Sequence, residues 1–329
     1  MLQEATTPEA EILSVIIVAF NTRELLRDCL TSIGAHRDSL LETIVVDNMS
    51  TDGSAQMVRA NFPEVRLIEN SENLGFSRAT NQGLKEAKGK YFFLLNSDTV
   101  VRPCALTAMK DFLDGHPDAG GVTCRLLNAD GSIQASVSKR PGPMLLLFRF
   151  SRVSRLIKSD GARRFLRTYL GFLMGSTARS YLDPYTAVST PIEVENISAA
   201  CLMMRRQAVQ EVGPFDEKFF MYLEDTDYCI RLRDAGWKLY YVPTGEIVHL
   251  VGRSSGGQMR DYSVHSYRSL FYFYQKHYSL MTLVVVRLLV FCTIVSRWLW
   301  SLICGRFSNP LHYRKNRLDL EQVMRLYFE

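Results

Sequence analysis

Four short runs of apolar, largely β-branched residues, each followed by a polar cluster and then by helical periodicity, set the strongest limit on how this chain folds. The runs lie at 14–20 (SVIIVAF), 43–46 (TIVV), 65–69 (VRLIE) and 91–95 (YFFLL). Runs of this length suit strands that are covered on both faces of a parallel sheet. Between the first two, Leu25, Leu26, Cys29, Leu30 and Ile33 recur at helical spacing, and Asn21 with Glu24 predicts an N-cap and capping-box pair. Asp52-Gly53-Ser54 opens a second helix, 77–88 forms a third with Gly89 as its C-terminal cap, and Pro103 fits the first turn of a fourth. This alternation predicts a doubly wound α/β domain. A length of 329 residues with 47% hydrophobic content is ample for its core.

Ligands of open α/β sheets sit beyond the carboxyl ends of the strands, where loops and helix N-termini converge. The polar clusters fall there: Phe20-Asn21 after the first run, Asp47-Asn48 after the second, residues 70–76 with Gly75 after the third, and Asn96-Ser97-Asp98 after the fourth. Any one of these is an ordinary turn former, but four in register predict a binding crevice. Two nucleotide signatures are absent. No GxGxxG follows the first run, which removes the main support for a dinucleotide-dependent oxidoreductase. The stretch 83–91 (GLKEAKGKY) has one residue too many between its glycines for a P-loop, and Tyr91 stands where Ser or Thr would bind Mg²⁺.

Further along, Glu224, Asp225 and Asp227 precede an amphipathic run at 228–235 that ends at Gly236. Carboxylates in a first helical turn are favoured by the macrodipole and need no catalytic explanation. The aromatic lead-in Phe219-Phe220-Met221-Tyr222 adds an apolar approach to these carboxylates. The seven cysteines contain no CxxC pair, so neither a disulfide framework nor a zinc site is indicated, which fits a reducing compartment. The opening MLQEATTPEAEILS lacks a basic stretch followed by an apolar one and does not read as a secretory signal.

With these segments in place the sequence resembles the family 2 glycosyltransferases of GT-A fold, and among them the bacterial rhamnosyltransferase-like branch. The matching segments are SVIIVAFN (14–21), IVVDNMSTDGS (44–54), ENLGFSRATNQGL (72–84), FFLLNSDT (92–99), the long stretch 198–237, and VPTGEIVHLVG (242–252). The resemblance implies a GT-A nucleotide-binding domain with a mixed central sheet over 12–257, after a flexible N-terminus at 1–11. It implies transfer of a sugar, rhamnose from dTDP-rhamnose being the branch's suggestion, with inversion at the anomeric carbon. The donor is a dTDP- or UDP-sugar, and the acceptor a saccharide or a polyprenyl-diphosphate-linked one, in cell-surface polysaccharide synthesis. A departing diphosphate needs its charge offset, and oxygen ligands suit Mg²⁺ or Mn²⁺. Asp98 is the carboxylate ligand and His249 the second protein ligand. Asp225 is the base that takes the acceptor proton, Glu224 contacts donor or acceptor, and Asp227 is structural. Phe20, Asn21, Asp47, Asn48, Gly75, Arg78, Asn81, Asn96 and Asp98 line the nucleotide-sugar site. Two positions depart from the family pattern: Asn96-Ser97-Asp98 carries one carboxylate, and Leu-Val-Gly follows His249. A catalytically silent scaffold and a nucleotidyltransferase remain as alternatives. The latter would need a glycine-rich basic loop that Ala19-Phe20-Asn21-Thr22 does not supply.

The formal net charge is +5, unevenly spread: residues 141–180 hold eight Arg or Lys against Asp160 alone. Leu, Phe and Ile interleave with these cations, a composition of basic amphipathic helices that lie on anionic membranes. No nucleic-acid-binding module accompanies the patch, so nucleic acid is not expected as a partner. Residues 280–304 have the length of a span but contain Arg287 and Arg297, each costly at a bilayer centre. Lys276, Ser279, Thr282, Arg287, Thr293, Ser296, Arg297 and Ser301 fall in one half of the helical wheel. That pattern favours a helix lying in the interface over a span or a core or dimer helix, within a membrane-associated helical region at 258–329. Such an enzyme is expected in the cytoplasm, peripheral on the inner membrane face.

Overall fold

The computed structural model describes residues 13–35, 41–142, 188–250 and 264–304, together with 321, 323, 324 and 326. The chain divides into two compact units. The larger comprises Met1–Lys139, Tyr185–Phe220 and Glu224–Gln258, and the smaller Arg140–Pro184, Met221–Leu223 and Met259–Glu329.

The larger unit begins with the expected alternation: β1 (Leu13–Ala19), α1 (Arg23–Gly34), β2 (Leu41–Asp47), α2 (Ser54–Asn61), β3 (Arg66–Glu69), α3 (Phe76–Glu86) and β4 (Tyr91–Leu95). The four strands lie in the order β3-β2-β1-β4, all parallel. The chain continues through β5 (Thr99–Val101), α4 (Ala105–Gly115), β6 (Ala119–Leu127), β7 (Ile133–Gln134), β8 (Val137–Ser138), β9 (Ile192–Val194), β10 (Asn196–Ile197), β11 (Cys201–Arg205), α5 (Arg206–Val212), α6 (Glu224–Asp234) and β12 (Lys238–His249). Here the sheet turns mixed. β11 inserts antiparallel between β4 and β6, β12 runs parallel to β6, and β5 and β9 pair antiparallel with β12. β8 and β10 form a separate two-stranded sheet.

The period-2 pattern of β1 builds two cores at once. Val15, Ile17 and Ala19 join α1, α2 and α4 on one face, while Ile16 joins α3, α5 and α6 on the other. Every residue of β4 is buried, as a central strand requires. β12 breaks register between Val242 and Glu246, the stretch that holds Pro243 and Gly245. Proline in a central strand is tolerated at such an irregularity. A side chain at Gly245 would collide with the Ala105 backbone, at 2.9 Å from its Cα. The irregular stretch lets one long strand pair with β6 on both sides of it, with β9 early and with β5 at its end.

Three local expectations are corrected. α1 is capped by Thr22 without a side-chain bond; Asn21 is instead left-handed (φ 53°), and its Oδ1 accepts from the Thr51 N–H at 2.8 Å. The sharp exit from β1 uses the tolerance of asparagine for this conformation and spends its side chain across the crevice. α3 ends at Ala87, and Gly89 serves as a donor to Ser14 Oγ at 2.8 Å. Pro103 precedes α4, whose cap is left-handed Cys104 (φ 66°).

In the smaller unit, α7 (Val264–His277) and α8 (Leu280–Cys304) pack together. Tyr274 and Tyr278 both donate their hydroxyls to the Pro141 carbonyl, at 2.9 and 2.8 Å, and Arg140 lies 4.9 Å from the Tyr278 ring centre. Among the described residues no helix is long and apolar enough to cross a membrane. The expected basic segment at 141–181, beyond Gly142, and the basic tail from Arg306 lie outside the described residues.

Candidate active site

The loops after β1, β2 and β3 form one hydrogen-bonded block. Asn48 is buried and uses its whole amide within it: Nδ2 donates to Asn73 Oδ1 (2.8 Å) and the Gly75 carbonyl (3.2 Å), and Oδ1 accepts from Asn70 Nδ2 (3.1 Å) and the Leu74 N–H (3.0 Å). An asparagine has no further strong capacity once these four bonds are made. Asn48 therefore holds the 70–75 loop, where the sequence placed it against the nucleotide. Gly75 (φ 81°) lets that loop meet the chain at Phe220, whose carbonyl would lie 2.5 Å from a Cβ there and accepts from the Phe76 N–H at 2.7 Å. Arg78 and Asn81, expected near the phosphates or sugar, both contact Glu217 in this structure. Arg78 Nε lies 3.3 Å from Glu217 Oε2, and Asn81 Nδ2 donates to the Phe215 carbonyl (2.9 Å) and Glu217 Oε1 (3.0 Å).

Asp47 differs from its neighbours. It is 3% exposed; Oδ2 accepts from the Ser50 N–H at 3.0 Å, while Oδ1 is buried without a hydrogen-bond partner. Phe20, at the end of β1, is 38% exposed. An orphaned carboxylate oxygen beside an exposed aromatic ring suits a group that carries both N–H or O–H donors and a flat apolar face.

The turn after β4 joins the far half of the sheet. β5 follows Asp98 directly and pairs with the end of β12, so that His249 lies opposite Thr99. This register brings His249 Nε2 to 3.2 Å from Asp98 Oδ1 and 3.3 Å from Asn96 Nδ2. The other ring nitrogen, Nδ1, lies 2.7 Å from Gln134 Oε1, and Gln134 Nε2 donates to Asn128 Oδ1 at 2.8 Å. With the Gln134 amide oriented by Asn128, its oxygen faces the imidazole and must accept. Nδ1 then carries the proton, and the lone pair of Nε2 points toward Asp98.

In the neutral imidazole the Nε2 lone pair and the Asp98 carboxylate oxygen, 3.2 Å apart, repel unless positive charge lies between them, a proton on Nε2 or a metal ion. Two donors each about 2.1 Å from one divalent ion and roughly at right angles sit about 3 Å apart, so the pair fits such an ion. No group of three or more His, Cys, Asp or Glu side chains gathers among the described residues. Asp98 and His249 thus bring two potential ligand atoms together there.

The acidic helix α6 completes the crevice. Two consecutive left-handed residues, Tyr222 (φ 69°) and Leu223 (φ 68°), precede it, and Asn21 and Met49 (φ 69°) share that conformation at the ends of β1 and β2. Such non-glycine strain concentrates at functional sites. Asp225 Oδ2 accepts from the Ala199 N–H at 3.2 Å, and its Oδ1 from the Thr226 N–H at 2.7 Å. Ala200 in turn accepts from the Asn96 N–H at 3.1 Å, so the segment before β11 ties Asp225 to the Asn96–Asp98 turn. Burial raises the Asp225 carboxyl above its ordinary range, against the pull of these hydrogen bonds. Glu224 is buried with Oε2 lacking any partner; burial first and the neighbouring Asp225 charge second push its carboxyl well up. Asp227, fully buried, pairs with Arg231 at 2.9 Å, and that guanidinium also holds the Val212 and Pro214 carbonyls. Its structural assignment suits this geometry.

Gln134 and the 198–200 backbone carry parts of the site that the sequence reading missed. The Asn128-Ala-Asp-Gly-Ser132 stretch is a legible turn between strands, but nothing in it marks the next glutamine as a partner for a histidine more than a hundred residues away.

Comparisons with known proteins agree with this architecture. Residues 14–213 match the model of Glycosyl transferase family 2. The N-acetylglucosaminyl-diphospho-decaprenol L-rhamnosyltransferase of Mycobacterium tuberculosis is 28% identical over 282 residues, 82% of this chain and 86% of that protein. Poly-beta-1,6-N-acetyl-D-glucosamine synthase of Staphylococcus aureus is 23% identical over 252 residues, 76% of this chain and 52% of that one. Among solved structures, the mannosyltransferase PcManGT from Pyrobaculum calidifontis, in complex with GDP-Man and Mn²⁺, aligns with a TM-score of 0.51 and 17% identity over 95% of this chain and 84% of that one. GalNAc-T7 with UDP, GalNAc and Mn²⁺ gives 0.51 and 14% over 73% of this chain, which spans under half (44%) of that longer one. At such identity the likeness speaks for the fold alone, a GT-A-like mixed α/β sheet. The family match covers more than half of the chain, which belongs to glycosyl transferase family 2, resembles its rhamnosyltransferase-like branch, and is a glycosyltransferase.

Proposed function

We propose that the protein is an inverting, divalent-metal-dependent glycosyltransferase that moves a deoxyhexose, rhamnose from dTDP-rhamnose, onto a polyprenyl-diphosphate-linked saccharide at the cytoplasmic membrane face during cell-surface polysaccharide assembly. The observation that carries the chemistry is the linkage of two unlike acidic sites through residues 198–200: the Asp98–His249 pair on one side and Asp225 with Glu224 on the other. One suits a cation and a diphosphate, the other a hydroxyl that must lose its proton. The rhamnosyltransferase relative supports the sugar and the lipid-linked acceptor, and the PcManGT and GalNAc-T7 complexes support Mn²⁺.

In this assignment the domain is catalytic over 12–257. The base and ribose of the donor lie against Phe20, Asn21 and Asp47, whose unpartnered Oδ1 accepts a donor group of the nucleotide. Asp98 and His249 would hold the cation, which would supply Lewis-acid stabilisation of the departing diphosphate. The acceptor hydroxyl attacks the anomeric carbon from the face opposite the diphosphate. A carbon–oxygen bond to the acceptor forms as the bond to phosphate breaks, and the hydroxyl proton passes to Asp225. A carboxyl raised by burial is a better match to a hydroxyl near neutral pH than an exposed one.

Calorimetric titration with a panel of nucleoside diphosphates and nucleotide sugars, with and without Mn²⁺, tests the proposal. Metal-dependent binding of dTDP and its sugar, weakened at least about tenfold by Asp98→Ala, is the expected result. Silence across the whole panel would leave a scaffold that keeps the fold without the chemistry.

A further inference from the structure

The smaller unit carries a surface that the transfer chemistry does not use. In α8 the buried positions are Leu283, Val286, Val290 and Ile294, a stripe at i, i+3, i+7 and i+11. That stripe runs through the half of the helix that also holds its polar residues. Thr293 returns its hydroxyl to the Leu289 carbonyl at 2.8 Å, and the Arg287 guanidinium lies 5.2 Å from the Phe271 ring centre of α7. The wholly apolar half faces outward. Leu280, Met281 and Leu288 are 76%, 74% and 59% exposed, and Val284, Val285 and Phe291 continue the same stripe.

A helix in water buries its apolar half, whereas α8 buries one apolar stripe and leaves a second exposed. The charge of the smaller unit names what covers it. Its three segments hold nineteen Lys and Arg against six Asp and Glu, a net of +13, whereas the larger unit holds twenty against twenty-eight, a net of −8. A second copy would bring two units of like net charge together, which like charges oppose. An anionic bilayer satisfies both features: its acyl boundary takes the apolar stripe and its charge attracts the net positive unit.

We propose that the outward face of α8, centred on Met281, Val284 and Leu288, is the docking surface for an anionic phospholipid bilayer, with the helix lying in the plane of the interface. This rests on the membrane-surface role proposed above and assigns it to one face of one helix. Arg287, exposed at the edge of the stripe, reaches the headgroup layer while its stem stays against the helix.

The test is flotation of the full chain with vesicles of phosphatidylcholine alone or mixed with phosphatidylglycerol. Nucleotide binding, thermal unfolding and light scattering are followed on the same samples. The wild type is expected to float with the mixed vesicles and to bind about tenfold or more weakly to phosphatidylcholine alone, with the difference shrinking at high salt. The double variant Met281→Gln, Leu288→Gln keeps its charge and its melting temperature and loses about tenfold in binding; Leu280→Gln alone loses less. Undiminished flotation of the double variant, or no flotation of the wild type, overturns the assignment. So does a wild-type dimer that the double variant dissolves, which would make the face an interface between copies. A wild type that binds nucleotide but no vesicle sinks this surface and leaves the transferase standing. Vesicle binding without nucleotide binding does the reverse.

Discussion

Asn48, after β2, and Glu224, at the start of α6, are both buried polar side chains, yet one is saturated and the other is not. Asn48 makes four hydrogen bonds inside the protein, and Asn70 and Gln82 satisfy each other reciprocally at 2.9 Å. Glu224 Oε2 is buried without a partner beside the Asp225 carboxyl, and two potential ligand atoms, on Asp98 and His249, lie 3.2 Å apart. Saturated polar groups hold loops; unsaturated ones await a ligand. The difference separates scaffold from chemistry where residue type does not.

The largest effect should come from the unsaturated side. Asp225→Asn is expected to cut turnover about a thousandfold while leaving nucleotide affinity within about twofold, by steady-state kinetics and calorimetry. Retained turnover would remove Asp225 as the base. Because burial raises its carboxyl and the base works deprotonated, wild-type turnover should fall as pH drops through a value above the ordinary carboxylate range. An acid limb at the usual aspartate position would contradict the burial argument.

Gln134→Leu should weaken Mn²⁺ binding by about ten- to a hundredfold. Nitrogen-15 spectra of the metal-free protein provide a second readout, since the Nδ1–H tautomer of His249 should lose its dominance. Unchanged spectra would mean that the imidazole is oriented by something else.

Asn48→Ala tests the saturated side and should cost about 2 kcal/mol in denaturant unfolding, because loop donors and acceptors lose their partner. If donor binding falls far more than stability, Asn48 touches the nucleotide after all. Glu224→Gln should act in the opposite sense and most weakly, adding about 1 kcal/mol near pH 8. A raised folded-state pKa gives a contribution that is fully present below the unfolded value and lost as pH rises through the folded one. The gain from removing the carboxylate should therefore vanish near pH 4. Stabilisation equal at both pH values would show that packing, not charge, is responsible.

The parallel half of the fold was legible because its strands announce themselves by local pattern. Tyr91–Leu95 was read to the residue, and β1, β2 and α3 to within one or two at most ends. The antiparallel half depends on pairings between distant segments, such as β11 between β4 and β6, that no periodicity encodes. The same division holds in the site. The acidic start of α6 shows in sequence order, and its first turn does hold Glu224, Asp225 and Asp227. That Asn81 and Arg78 answer to Glu217, or that Gln134 answers to His249, follows from which loops meet, and short-range pattern is blind to that.

The placement of β11 also bears on how the chain is made. β4 exposes an apolar edge, Tyr91–Leu95, until Cys201–Arg205 arrives to cover it, and the two segments are separated by more than a hundred residues. At about 5–20 residues per second, a ribosome leaves that edge uncovered for roughly 5 to 20 s. During synthesis the half-sheet β3-β2-β1-β4 is thus an unfinished template for any passing strand, and the nascent chain is a client for chaperones until β11 closes it.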